Sequence, residues 1–161
     1  MKEPSAVRIL GLDPGLARVG YGVIQCPPQE AGAMLDCGIL RTEPGQSDGQ
    51  RMVEIARDLR VLIRAWRPEL AVVEKFFFYR SSTTISVVQA RGVLLMTLAR
   101  FAIPVVELPP MQIKQALTGN GHADKDEVLD AVMRELNLAT PPRPDDAADA
   151  LAAALTGWFQ R

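Results

Sequence analysis

Residues Ala6 to Asp13 are apolar at nearly every position and run into Asp-Pro-Gly. This pattern predicts a strand covered on both faces, followed by a turn. Such a strand belongs in the middle of a sheet. Val19 to Cys26 and Ala33 to Arg41 follow after short Pro/Gly-rich breaks, with Pro27-Pro28 enforcing a return, so the first three strands read as an antiparallel meander.

The period then changes. Met52, Ile55, Ala56, Leu59, Leu62, Ile63 and Trp66 recur at spacings of three and four, which predicts an amphipathic helix after a loop over Thr42 to Gly49. Pro68 ends it. Leu70 to Glu74 is a short apolar run, read as a buried strand parallel to the first because a helix connects them. A second helix spans Ile85 to Arg100 and is apolar on most sides, as expected of a deeply buried helix or a subunit interface. Pro104 to Leu108 reads as a fifth strand, and Pro109-Pro110 opens a short helix to Leu117. After a Gly-rich loop over Thr118 to Ala123, Asp124 and Glu127 form a capping-box-like start for a helix to Leu136. The connection Thr140 to Pro144 leads to an Ala/Leu helix from Asp145, its expected cap, to about Phe159. These elements predict an α/β fold over residues 1–161 as a single domain: a five-stranded mixed sheet flanked by helices.

Composition excludes several classes. A chain of 161 residues with 48% apolar and 23% charged residues is neither collagenous, disordered nor a disulfide scaffold. Cys26 and Cys37 make no framework and read as small buried thiols in a reducing compartment. Arg8 interrupts the N-terminal apolar run, and no stretch approaches about 18 apolar residues, so the expectation is a cytoplasmic protein without a membrane segment. Net charge is −1, which argues against a wholly basic nucleic-acid binder. The sum hides a gradient: residues 1–122 carry 14 Lys and Arg against 11 Asp and Glu, while residues 123–161 carry 4 against 8. Acidic groups gathered at a metal site, with basic ones lining a surface, would still suit DNA.

The order of elements brings four carboxylates together. Asp13 ends the first strand and Glu74 the fourth, its predicted parallel neighbour. Asp146 and Asp149 lie on the last helix, about 60° apart around its axis. Asp13 could be an ordinary turn residue, and Asp146 could simply complement the helix dipole. Glu74, closing Leu-Ala-Val-Val, and Asp149, amid alanines, are poorly placed for purely solvated charges. Carboxylates about 5 Å apart repel by roughly 3 kcal/mol per pair at an effective dielectric of 20, so such a cluster needs cations. All-oxygen ligation suits Mg²⁺ or Mn²⁺, two per site, and argues against zinc. Paired metals of this kind clamp the attacking and leaving oxygens in phosphodiester cleavage.

Five blocks, ILGLDPGLARVGYGVI, AVVEKFFF, SVVQARGVLL, IKQALTGNGHADKDEV and DDAADALAAAL, resemble in order and spacing the RuvC family of Holliday-junction resolvases over residues 7 to about 156. The resemblance implies an RNase H-like fold, a homodimer, and a crossover junction endonuclease that nicks two strands of like polarity at a four-way DNA junction. It extends to docking on a branch-migration motor. By position, Asp13, Glu74, Asp146 and Asp149 match the family's metal-binding catalytic acids; some members have His where Asp146 stands. Lys114 and Lys125 match lysines close to the scissile phosphate and DNA backbone, and Lys125 joins the catalytic set. Phe77 matches an aromatic that stacks on bases at the crossover, with Phe76 and Phe78 one step to either side.

The residues themselves bear on parts of this. Lys125 falls in the first turn of its helix, where the macrodipole disfavours a cation, which suggests a task outside folding. Arg57, Arg60, Arg64 and Arg67 form a stripe read as solvated surface, His122 reads as a loop residue, and Arg91 as an ion-pair or interface residue. Three other readings compete, one of them a junction-binding protein without catalysis, against which all four acids speak. An actin-like ATP-binding lobe shares the first Asp-x-Gly turn but needs a second lobe and a second phosphate loop. An RNase H-like nuclease for another branched DNA differs only in substrate.

Overall fold

The computed structural model describes residues 5–75 and 82–161. Its elements, in chain order, are β1 (Val7–Asp13), β2 (Arg18–Cys26), β3 (Ala33–Arg41), α1 (Asp48–Trp66), β4 (Leu70–Glu74), α2 (Thr84–Arg100), β5 (Val105–Leu108), α3 (Pro110–Thr118), α4 (Lys125–Glu135) and α5 (Asp145–Phe159). One mixed sheet in the order β3-β2-β1-β4-β5 runs through the molecule. β1 is central, antiparallel to β2 and parallel to β4, as its uniformly apolar sequence requires.

Helices cover both faces, and the strand residues alternate between them. Ile9, Ile24 and Val72 pack with α3, α4 and α5. Leu10, Leu12, Val23, Ala71 and Val73 pack with α1 and α2. Two local corrections follow from capping. Helix α1 begins earlier than its apolar period suggests, because Ser47 caps it and exchanges hydrogen bonds with Gln50 in a full capping box. Helix α5 has Pro144, not Asp145, at its N-cap, with no side-chain cap bond. Asp145 is instead the first helical residue, where its charge still complements the dipole.

Helix α5 lies unusually close to the sheet. A Cβ at Gly11 would overlap the Ala150 carbonyl, and one at Gly20 would overlap the Asp146 carbonyl. Ala147, Ala150, Ala153 and Ala154 are fully buried between the sheet and its neighbours. Small residues on both surfaces let the helix backbone settle directly onto β1 and β2, which fixes where the start of α5 stands relative to the end of β1.

Candidate active site

Side-chain alternation decides which face each strand acid joins. Ile9 and Val72 point into the α5 layer, so Asp13, four residues after Ile9, and Glu74, two after Val72, point the same way. The parallel register of β1 and β4 has Leu12 opposite Val73, one step short of setting Asp13 beside Glu74. The two carboxyls lie within hydrogen-bond reach of each other, a contact that raises Asp13 and lowers Glu74. From the other side α5 delivers Asp146 and Asp149. Asp13, Asp146 and Asp149 each present a carboxylate oxygen, and these oxygens lie within 4.8 Å of one another. Asp13, Asp146 and Asp149 thus form one cluster, and Glu74 adjoins it through Asp13.

Their electrostatics record that crowding. Burial, then the charge of Glu74 and the hydrogen bond to it, then Asp149 and Asp146, push the Asp13 carboxyl up to about 9. Glu74 is raised chiefly by burial and further by Asp149, against the lowering effect of its bond to Asp13 and of Lys125 and Lys114. Asp149 is raised by burial, with Lys125 the main opposing influence. Buried carboxyls that cannot all ionise together become tolerable when hard divalent cations supply the countercharge. The donors are all carboxylate oxygens, a set that fits a hard divalent cation.

Basic groups border the cluster. Lys125, the first residue of α4, sets Nζ 4.0 Å from Asp149 Oδ2. With Lys114 of α3, Glu74 and Asp149 it lines a cleft of about 190 Å³. Arg18, opening β2, places Nε 2.8 Å from Asp146 Oδ2. Sequence reasoning missed Arg18, since no local pattern links the start of a strand to a helix 128 positions later.

The family model for the crossover junction endodeoxyribonuclease RuvC matches residues 9–157. The chain belongs to the RuvC family. The crossover junction endodeoxyribonuclease RuvC of Synechococcus sp. (strain WH7803) is 78% identical over 155 residues, covering 96% of this chain and all of the relative. The RuvC of T. thermophilus, solved in complex with a Holliday junction substrate, superposes with a TM-score of 0.90 at 36% identity, covering 96% of this chain and 94% of that one. The yeast mitochondrial Holliday junction resolvase Ydc2 shares the fold alone, with a TM-score of 0.65 at 16% identity over 98% of this chain and 81% of that one. Membership in the RuvC family carries an RNase H-like fold, endodeoxyribonuclease activity and dependence on a divalent metal.

The remaining predicted residues sort by position in this RuvC-family fold. Phe77, with Phe76 and Phe78, lies outside the described residues. Arg91 forms a two-bonded ion pair with Glu107, at 2.9 and 2.6 Å, tying α2 to β5. Arg57, Arg60, Arg64 and Arg67 are exposed. Arg67 falls just past α1 in a left-handed conformation, so the helical stripe ends at Arg64, whose guanidinium lies 5.9 Å from the Phe101 ring centroid. His122 is an exposed loop residue whose main-chain N–H donates to Asn120 Oδ1 at 3.0 Å. No helix among the described residues is long and apolar enough to cross a membrane.

Proposed function

We propose that this chain resolves four-way DNA junctions by paired, symmetric hydrolytic nicks, with Asp13, Glu74, Asp146 and Asp149 as ligands of two divalent cations. The convergence of these four acids at the ends of β1, β4 and the start of α5 carries the reading. When bound, Mg²⁺ or Mn²⁺ would activate the attacking water and stabilise the departing 3′ oxygen. Asp13 and Glu74 would both ligate as carboxylates, Asp13 losing its proton to solvent as the cation binds. Asp149, between the strand acids and Lys125, spans the cluster. Lys125 and Lys114 stand along the cleft where they draw in the scissile phosphate and the adjoining backbone. Phe77 stacks on an unpaired base at the crossover, a contact of about 1–3 kcal/mol.

The active form is a homodimer. Ile85, Val88, Gly92 and Met96 follow one line along α2, on the side away from its buried residues. Ile85 is 72%, Val88 46% and Met96 49% exposed. A Cβ at Gly92 would meet nothing within 4 Å. Such an apolar ridge with a gap at its centre suits self-pairing about a two-fold axis, the symmetry a four-way junction offers to two active sites.

The test is incubation with a synthetic four-way junction, a flap and a plain duplex, each with and without Mn²⁺. Paired nicks confined to the junction are expected. Asp13→Asn and Glu74→Gln should reduce nicking by roughly 10³-fold or more while junction binding persists. Unchanged cutting by either variant overturns the assignment, and preferential cutting of the flap would move the activity to another branched DNA.

A further inference from the structure

Basic side chains stand on both flanks of the carboxylate cluster, and the lysines account for one flank only. On the other, a groove of about 540 Å³ runs past Asp13 and Asp146 and is walled by Arg18, Arg51, Asp48 and Ser86. Arg51, from the first turn of α1, uses Nε on the Glu43 carbonyl at 3.2 Å, and a guanidinium has further N–H donors to offer. Arg18 reaches Asp146 from the solvent side: its side chain is 55% exposed against 27% for Asp146. The contact uses Oδ2 of a residue whose carboxylate also belongs to the group of three placed to hold a metal ion. The pair and the cation therefore compete for one side chain, and an exposed ion pair is the weaker contender.

We propose that Arg18 is a cation-released phosphate clamp. It pairs with Asp146 while the carboxylates hold no metal. Once Asp146 ligates a divalent cation, the guanidinium turns into the groove beside Arg51 and binds the DNA phosphate next to the one that is cut. This rests on the reading of Asp146 as a ligand. It places the cut strand across the acids, gripped by lysines on one side and arginines on the other. It also makes cation and junction bind cooperatively, each favouring the state in which Arg18 is free.

The experiment measures junction affinity against salt for the full chain, in EDTA and in Ca²⁺, with strand integrity checked on denaturing gels. Mn²⁺ affinity of the DNA-free protein is measured by calorimetry. Arg18→Gln should bind Mn²⁺ roughly two- to fivefold more tightly, since Asp146 loses its competitor. In Ca²⁺ it should bind the junction roughly tenfold more weakly, with a salt slope shallower by about one charge. In EDTA it should match the unmodified protein. Arg18→Lys should keep most of the Ca²⁺-dependent affinity, which separates loss of a cationic grip from loss of structure. Equal weakening of Arg18→Gln in EDTA and Ca²⁺, or weaker Mn²⁺ binding by it, overturns the proposal. The ligand reading fails separately if Asp146→Asn leaves Mn²⁺ affinity unchanged.

Discussion

A buried carboxyl held up to about 9, as Asp13 is, keeps its proton at neutral pH. Burial and the neighbouring Glu74 raise the folded-state value above that of an unfolded aspartate, near 4. The folded state therefore holds this proton more tightly, and the group's contribution to stability is full below about pH 4 and is lost as pH rises towards 9. Melting temperature in EDTA should decline between about pH 5 and pH 9, with Mn²⁺ restoring most at the alkaline end. Asp13→Asn should flatten that profile and raise cation-free stability at about pH 8 by roughly 1–3 kcal/mol, read by thermal melts. A flat EDTA profile for the unmodified chain would count against the burial of this charge. At this scale the acids were legible because two end recognisable strands and two share one face of a predicted helix, whereas Arg18 was not: its partner is set by how α5 lies across β2, which no short-range pattern encodes.

Among the elements, α5 is the piece on which the site's geometry depends. Because its backbone rests on Gly11 and Gly20, a side chain there must push the helix away together with Asp146 and Asp149. Gly20→Val should cost about 3 kcal/mol or more in denaturant unfolding and weaken Mn²⁺ binding. Gly49→Ala, at a position where a Cβ meets nothing, should stay within about 0.5 kcal/mol of the unmodified chain in the same assays. The strands were readable almost to the residue, since alternation and Pro/Gly breaks bound them tightly, and β3 has the predicted limits Ala33–Arg41. Helix starts were less so. Ser47 sits in a loop with Gly45 and Gly49, where a turn and a cap look alike, and Pro144 took the cap position that Asp145's side chain suggested. Helix α2 was apolar nearly all round, so its sequence gave no means of telling the face that packs on the sheet, through Ala90, Leu94 and Leu98, from the one left outside.

For the whole molecule, the proposed two-fold contact on that outside face would set how many active sites act together. Val88→Glu should leave the single chain folded, because Val88 is already exposed in it, but put like charges opposite each other across a two-fold contact. Light scattering after size exclusion should report a monomer, and junctions should receive single rather than paired nicks. Intact dimers with paired cutting would move the contact elsewhere. Within the single chain, the sheet divides the interior into two compartments, and each holds one indole. Trp66 packs among the α1 and α2 residues with Nε1 donating to Asp36 at 3.1 Å, while Trp158 packs among those of α5. Intrinsic fluorescence is thus a two-channel signal: with one tryptophan replaced by phenylalanine, the other reports whether its own side of the partition loosens before, with or after the opposite one.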